Sequence, residues 1–377
     1  MQLRPVLLAP GGRGRCQGVV AKGSGTRRQG DGQDRLKHSD HVEHVIIRAT
    51  NIVILPAHPL ASLGRGVLML ASPRRPLLVQ LVVTRRCNLA CGYCHEYDNQ
   101  SSPVDAGLLE RRIDHAARLG TVVLTLTGGE PLLHPRLDAL VARVTSHRMV
   151  CTLISNGYAM TRDWIGRLNG AGLALLQMSV DNIEPNEWSQ KSWTKVRKAL
   201  ELLKGHARFG VSVNAVLGAS TLEQTRQVVA AVRELGFFMT IGLMHDAQGQ
   251  IVSGLLGSKL VPTYQELQHQ SRKSVFHLAG EGWEADMLRE GAAPFKCRAG
   301  GRYLYVDEFG IVSYCSQRRG SPGIDMLNYT AEDVEREFYT PKGCEARCTI
   351  GCARRASAFD EWRPQACASR HDASSRS

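Results

Sequence analysis

The sequence predicts an α/β fold: six βα units forming a partial barrel or open sheet, a small cysteine-rich extension after them, and a basic, structureless segment before them. Three observations carry this. From Leu77 onward, short apolar runs alternate with amphipathic stretches, the pattern of parallel strands joined by helices. Glycines and short polar residues cluster at the ends of four of those runs. Eight of the 11 cysteines fall into two groups, one just after the first run and one near the C-terminus.

Residues 1–75 are rich in Gly, Arg and Gln and lack any helix or strand period, so they are expected to be disordered. Residues 1–76 hold 12 Lys+Arg against 4 Asp+Glu, which is +8 of the chain's +12 and leaves +4 for the other 301 residues. The basic excess is therefore mainly that of a solvated tail, which argues against nucleic acid as a partner. The stretch EHVIIRATNIVILPAHPL could form a strand or two, but Pro56 and Pro59 interrupt it, and Cys16 is incidental. No apolar run approaches the roughly 18 residues needed to span a bilayer. The odd cysteine count and the absence of an apolar, cleavable leader argue against a disulfide framework and point to a reducing cytoplasm.

The strands are expected at Leu77–Thr84, Val122–Thr127, Val150–Ser155, Leu173–Val180, Val211–Leu217 and Phe237–Met244. Helices are expected near Asp105–Leu119, Pro135–His147, Thr161–Ala171, Trp193–Phe209 and Leu222–Leu235. Thr161 and Thr221 are natural N-caps, and Gly120, Gly172, Gly210 and Gly236 are natural stops. In folds built this way, the loops leaving the strand C-termini gather the active site. Four motifs land on that rim: CNLACGYC after the first strand, TGGEP after the second, ISNG after the third and SVD after the fourth.

Cys87, Cys91 and Cys94 are spaced C-x3-C-x2-C, so on a loop they can converge on one iron–sulfur cluster and leave one iron without a protein ligand. Zinc would want a fourth ligand, and His95 directly beside Cys94 is awkward for tetrahedral geometry. Gly128 and Gly129 let backbone approach a ligand closely, and Glu130 offers an acceptor to an ammonium group; read alone, the string is a turn before a helix. Ser155, Asn156, Ser179 and Asp181 can bind hydroxyl or carboxylate groups, or can cap turns, as Asn156-Gly157 suggests. His245-Asp246 faces substrate or serves as a turn.

CNLACGYC after a strand resembles the cluster motif of the radical S-adenosylmethionine (SAM) enzymes, and TGGEP one βα unit later is similar to their GGEP motif. The resemblance implies a partial (βα)6 TIM-like barrel and a [4Fe–4S] cluster on Cys87, Cys91 and Cys94 whose open iron chelates S-adenosyl-L-methionine. It implies cofactor contacts from Tyr93, Gly128, Gly129, Glu130, Ser155, Asn156, Ser179 and Asp181. It also implies reductive cleavage of SAM to a radical that abstracts a substrate hydrogen, with flavodoxin or ferredoxin as the kind of electron donor needed.

Near the C-terminus, Cys297 and Cys315 flank an alternating run, YLYVDEFGIVSY, that reads as a hairpin turning at Asp307–Gly310. Cys344, Cys348 and Cys352 follow at four-residue steps, on one helix face or in a tight loop. This region resembles the SPASM and twitch extensions of radical SAM enzymes, although C-x3-C-x3-C offers too few thiolates for two saturated clusters. One auxiliary [4Fe–4S] cluster is the expectation, held by Cys297, Cys315 and two or three of the others, with structural zinc as the alternative. Cys151 in a strand and Cys367 in the tail are poor ligand candidates.

The expected organisation is a basic segment at 1–75, a core at 76–246, a linker or helical region at 247–294, the extension at 295–360 and a polar tail at 361–377. The resemblance favours modification of a peptide or protein. A small-molecule enzyme, laid out like the GTP cyclase of molybdenum cofactor biosynthesis, is the alternative, although the chain ends HDASSRS rather than in that enzyme's Gly-Gly. A non-catalytic iron–sulfur or zinc scaffold would have no use for TGGEP and SVD. No general acid or base stands out; Phe276, His277, Trp283 and Glu284 are candidates to shape a pocket.

Overall fold

Along β1 (Leu78–Thr84) side chains alternate between two environments, and the strands beside it repeat the alternation. The computed structural model describes residues 72–257, 259–270 and 282–365, all within the second of two compact units, Asn51–Ser377. Nearly all of the basic segment, with Cys16, and also Phe276, His277, Cys367 and the HDASSRS tail lie outside the described residues.

Five parallel strands follow β1: β2 (Val123–Gly128), β3 (Val150–Ser155), β4 (Leu175–Ser179), β5 (Gly210–Leu217) and β6 (Phe238–Leu243). Each pairs with the strand before it, so the order runs β6-β5-β4-β3-β2-β1. Helices α1 (Ala106–Arg118), α2 (Leu137–Ser146), α3 (Arg162–Ala171), α4 (Trp193–His206) and α5 (Leu222–Leu235) make the crossovers. Val79, Leu81, Leu124, Leu126, Leu153, Leu176, Val213 and Ile241 point into one core shared with apolar positions of those helices, such as Leu109, Leu140, Leu168, Leu200 and Val228. The alternate positions carry Gln80, Thr125, Thr152, Gln177, Ser212, Asn214 and Thr240. Together with Val82, Ile154 and Val216 these make an opposite face that is largely polar, although parallel strands are commonly apolar on both faces. Hydroxyls and amides there pair across strands, as in Thr125 with Thr152 (2.6 Å) and Thr240 with Asn214 (2.7 Å).

All six expected strands and five expected helices are present, Val150–Ser155 and Leu222–Leu235 with the expected bounds and the others with shifted ends. Thr161 and Thr221 cap α3 and α5, and Gly172 and Gly236 close them in the left-handed region. The helix expected from Pro135 starts at Leu137, because Pro131–Leu133 forms a separate turn capped by Glu130. The helix expected to reach Phe209 stops at His206. There Asn169 donates to His206 O (2.9 Å) and accepts from Arg208 N (2.7 Å), satisfying backbone that another helical turn would otherwise serve. Gly210 accordingly opens β5 instead of ending a helix.

The extension joins the same sheet. Strand β7 (Tyr303–Val306) lies parallel to β1, with Leu78 opposite Tyr303 and Leu81 opposite Val306. It turns at Asp307–Gly310 into antiparallel β8 (Ile311–Ser313), followed by β9 (Pro322–Asp325), giving nine strands among the described residues. The hairpin is the expected one; its pairing with β1 was not legible. The stretch expected as a linker contributes α6 (Leu260–Gln270) and α7 (Trp283–Glu290), and the extension adds α8 (Ala331–Tyr339) and α9 (Gly351–Ala358). No helix among the described residues is long and apolar enough to cross a membrane.

A fully buried ion pair ties these parts together. Arg302 donates bidentately to Asp360 (2.6 and 3.1 Å) and to Ser72 O and Arg75 O (2.9 and 2.8 Å), with both side chains at 0 % exposure. Removing one partner strands a buried charge. Asp360→Ala should therefore cost about 3–5 kcal/mol, whereas Arg197→Ala, which breaks an exposed pair with Glu201, should cost at most about 0.5 kcal/mol. Urea unfolding midpoints compare the two; equal losses would refute the assignment.

Candidate active site

The loop after β1 is built against the backbone of the second motif. Gly129 N donates to Thr84 O and Glu130 N to Arg86 O, both at 2.8 Å. A Cβ on Gly128, whose φ is +137°, would sit 2.1 Å from Thr84 O; one on Gly129 would sit 2.4 Å from both Arg85 O and Arg86 O. The close approach expected of these glycines is thus to the cysteine loop itself.

Glu130 is buried and its carboxylate is already engaged. Oε1 accepts from Leu132 N (3.0 Å) and Ser155 Oγ (2.8 Å), and Oε2 accepts from Asn156 N (2.7 Å). Burial raises its pKa, and these donors oppose the rise. Asn156 passes the link onward: its amide donates to Asn88 Oδ1 (2.8 Å) and lies 3.7 Å from Cys87 Sγ. Glu130, Ser155 and Asn156 therefore brace the loop that carries the cysteines.

Of the first three cysteines, Cys91 is buried and Cys87 and Cys94 are half-buried. Cys87 Sγ accepts from Leu89 N (3.4 Å), and burial pushes its thiol up to about 11. Cys91 is buried, and its Sγ accepts from Gln190 N (3.3 Å). Burial also raises the Cys94 thiol, against the lowering influence of Lys191. The three thiols couple electrostatically in pairs, Cys87 with Cys94 and Cys94 with Cys91.

The chain from 182 to 192 covers this loop. Ala90 N donates to Gln190 Oε1 (3.0 Å), Tyr158 Oη donates to Gln190 O, and a Cβ on Gly92 would meet Glu187 O at 2.9 Å. Under the cover runs a hydrogen-bonded row. Lys191 Nζ donates to Tyr93 Oη (2.8 Å), and Tyr93 Oη donates to Asp181 Oδ2 (2.8 Å). Burial alone would lower the Lys191 pKa, but Tyr93, Asp181, Cys94 and Cys91 hold it well above the ordinary lysine value. Burial and Asp181 push Tyr93 well above the ordinary phenol. Lys191 is therefore an ammonium and Tyr93 a neutral phenol. Asp181, at 0 % exposure, also accepts from Ser189 Oγ (2.7 Å) and Val216 N (2.9 Å), so it orients Tyr93 and does not present a free carboxylate. Ser179 is half-buried at the end of β4. His245-Asp246 forms a turn, in which Asp246 Oδ1 accepts from Gln248 N and Gln250 N (both 2.9 Å). Gln190 and Lys191 escaped the sequence reading because they belong to no motif.

A second cysteine set lies in the extension. Cys297, Cys315 and Cys348 are buried in one apolar cluster with Ala299, Tyr303 and Ile350. Cys344 and Cys348 lie close enough to Cys297 and Cys315 to raise their thiols electrostatically. Burial raises all four; Cys315 reaches about 12. The last three cysteines share no single helix: Cys344 precedes a short turn, Cys348 ends it, and Cys352 lies in α9. Cys352 turns toward β1, where Gln80 Nε2 donates to its Sγ (3.2 Å) and Tyr303 Oη donates to Gln80 Oε1 (2.6 Å). Among the described residues, no three His, Cys, Asp or Glu side chains are arranged to hold a metal ion as they stand. The fit to an iron–sulfur group rests on the donor chemistry: two sets of soft thiols, with N–H groups directed at sulfur in the first.

The two sets are clamped to each other. Arg319, four residues past Cys315, donates to Glu308 (2.9 Å), to Glu96 (3.0 Å) and to Tyr305 Oη (2.8 Å). Tyr305 Oη also donates to Glu96, two residues past Cys94, while Glu96 Oε1 is buried without a partner.

Gly129→Ala has no room except by displacing loop backbone, so it should lower both thermal stability and the iron retained after reconstitution. Gly166→Ala, inside α3 with nothing within 4 Å, should be neutral or stabilising by up to about 1 kcal/mol. Calorimetry and iron assay of the two variants check this; an unperturbed Gly129→Ala would show that the close approach is dispensable.

Residues 81–245 match the family described as the Radical SAM superfamily. A PqqA peptide cyclase from Xanthomonas axonopodis pv. citri is 28 % identical over 218 residues, covering 55 % of this chain and 49 % of that protein. The chain thus spans about half the length of that relative. An AdoMet-dependent heme synthase from Methanosarcina barkeri is 26 % identical over 335 residues, covering 77 % of this chain and 95 % of that protein. Among solved structures, Streptococcus suis SuiB bound to S-adenosylmethionine superposes with a TM-score of 0.56 at 15 % identity, over 75 % of this chain and 72 % of that one, and SuiB has also been solved bound to its precursor peptide SuiA. The fold is the partial barrel shared with SuiB, and residues 81–245 of the chain are similar to the radical SAM superfamily.

Proposed function

We propose that this chain is a radical SAM enzyme that modifies a peptide or protein. The observation that carries the reading is the three-cysteine loop fastened to the Gly128–Glu130 backbone at the C-terminal end of the parallel sheet, where such folds assemble catalytic sites. Cys87, Cys91 and Cys94 would hold a [4Fe–4S] cluster, and the cluster with S-adenosylmethionine would supply radical abstraction of a substrate hydrogen. The chain's own residues bind, orient and exclude water. Gln190 N and Leu89 N direct N–H groups at the ligand sulfurs, and the 182–192 cover shields the loop. Tyr93, the backbone of Gly128 and Gly129, Ser155, Asn156 and Ser179 are the proposed cofactor contacts, with Glu130 and Asp181 acting through the groups they hold. The polar face of the sheet, with Gln177, Asn214 and Thr240, offers donors and acceptors to a polar substrate.

Four thiols of the extension, Cys297, Cys315, Cys344 and Cys348, would hold one auxiliary cluster, and Cys352 would stand aside with Gln80. The proposed division keeps a core at 76–246 and an extension at 295–360, with 247–294 helical between them. A flavodoxin or ferredoxin is the proposed electron donor.

The peptide reading draws on the peptide cyclase and on the fold shared with SuiB, a protein solved with its precursor peptide. A second reading, small-molecule chemistry, draws on the heme synthase, whose match covers 95 % of its length. Deuterium transfer decides between them: a labelled peptide substrate should pass deuterium into 5′-deoxyadenosine, whereas turnover with a porphyrin and with no peptide would favour the second.

Two further outcomes are expected. Anaerobic reconstitution should give about eight irons per chain, and Cys297→Ser, Cys315→Ser, Cys344→Ser or Cys348→Ser should each leave about four, while Cys352→Ser keeps about eight. Iron loss on Cys352→Ser would redraw the ligand set. Replacing Cys87, Cys91 and Cys94 together by Ala should abolish 5′-deoxyadenosine formation from SAM under reduction; surviving cleavage would refute the reading.

A further inference from the structure

We propose that Gln177, with Ser212, Asn214 and Thr240 beside it on the polar face of the sheet, determines substrate specificity and selects an uncharged side chain that hydrogen-bonds, an amide or a hydroxyl. The inference rests on the peptide reading above and adds what the peptide must present.

Among the described residues, the six parallel strands β1–β6 carry no Asp, Glu, Lys, Arg or His. Register gathers the polar side chains of β4, β5 and β6 into one patch: Gln177 stands opposite Ser212, Ser179 opposite Asn214, and Asn214 opposite Thr240. Neighbouring strands lie about 4.8 Å apart, so these side chains are within reach of one ligand group. Thr240 Oγ1 donates to Asn214 Oδ1 (2.7 Å), which leaves the Asn214 amide hydrogens for another acceptor. Gln177 and Asn214 are half-buried, and the Gln177 amide has no protein partner among the described residues. The patch adjoins the candidate site. Ser179 lies two residues, about 7 Å, further along β4, and Asp181 beyond it accepts from Tyr93 Oη of the cysteine loop (2.8 Å) and from Val216 N of β5 (2.9 Å). At this rim Glu130 and Asp181 accept from groups of the protein and Lys191 donates to Tyr93, so the charges there are met within the chain. A carboxylate or ammonium brought onto the patch would lose water and gain no opposite charge, which is the costly case. A carboxamide or hydroxyl exchanges its water for Gln177 and Asn214 at little cost, because each amide supplies both donor and acceptor.

The test is an affinity selection. A pool of short synthetic peptides, randomised at every position, is passed over the immobilised full chain, reconstituted anaerobically with iron and sulfide and held with SAM but no reductant. Retained peptides are sequenced by mass spectrometry. The wild-type chain should enrich Asn, Gln, Ser or Thr over Asp, Glu, Lys and Arg at one position by at least about tenfold. Gln177→Glu should turn that position toward Lys and Arg, and Gln177→Lys toward Asp and Glu, each by about tenfold. A glutamine with a structural role alone would not make the preferred charge follow the charge at 177. Ser212→Asp, on the neighbouring strand, repeats the test where the Gln177 variants do not fold, and should likewise favour Lys and Arg. A wild-type preference for charged or apolar side chains, or a preference that ignores the charge at 177 and 212, overturns the inference and leaves the peptide reading in place. A wild-type chain that retains no peptide overturns the peptide reading, and this inference with it.

Discussion

Backbone pressed against backbone is the constraint on which this structure depends. Strands β1 and β2 end side by side, and the two chains leaving them touch closely enough that any side chain at 128 or 129 would overlap a carbonyl. Everything at the site follows from that contact. It aligns Glu130 so that one buried carboxylate collects Leu132, Ser155 and Asn156, and Asn156 in turn reaches Asn88 and Cys87. A cluster bound by only three thiolates needs its loop held from outside, because the fourth corner belongs to a ligand that comes and goes. Here the holding is done by main-chain hydrogen bonds, which keep their geometry better than long side chains do.

Charge compensation is the second theme. Thiolates gathered in a dry interior repel one another, and burial raises the thiols of Cys87, Cys94, Cys297, Cys315, Cys344 and Cys348. Each set nevertheless has one lysine at hand, half-buried Lys191 beside Tyr93 and buried Lys342 beside Tyr314. The two are anchored differently. Lys191 faces a fixed row through Tyr93 to Asp181, whereas Lys342 leans on a backbone carbonyl and a shared Glu337. The same fold thus sets one lysine beside each group of cysteines and anchors the two in different ways.

The parts of the molecule that local chemistry controls were legible in the sequence. Strand positions followed from β-branched runs, Thr161 and Thr221 capped as expected, and the Asp307–Gly310 hairpin turned where its residues demanded. Non-local pairings were not. Nothing in YLYV says that β7 will lie parallel to β1, because any edge strand with open N–H and C=O groups could have accepted it. Nor could composition reveal that Glu130 and Asp181 are fully used within the protein, because a carboxylate at a strand tip serves a ligand or a neighbour with the same chemistry. Gln190 and Lys191 stayed hidden for a related reason: they act through a loop whose course is set by its contacts and by no motif.

The register of β7 on β1 has a consequence for how the two cysteine sets cooperate. Because Gln80 on β1 stands opposite Tyr305 on β7, the extension cannot slide without breaking the sheet. Tyr305 then carries Glu96, from the first cysteine loop, to Arg319, from the segment just past Cys315. Arg319 is over-supplied with acceptors, since Glu308 takes its other nitrogen, so the clamp is an ion network of two carboxylates and a phenol around one guanidinium. Such a planar fork fixes orientation as well as distance. Electron exchange between two centres falls steeply with separation, so an enzyme using both gains from a rigid spacer and loses from a hinge. By adding the extension as strands of the same sheet, and not as a separate domain on a linker, the chain makes the distance between its two thiol sets a property of β-sheet register.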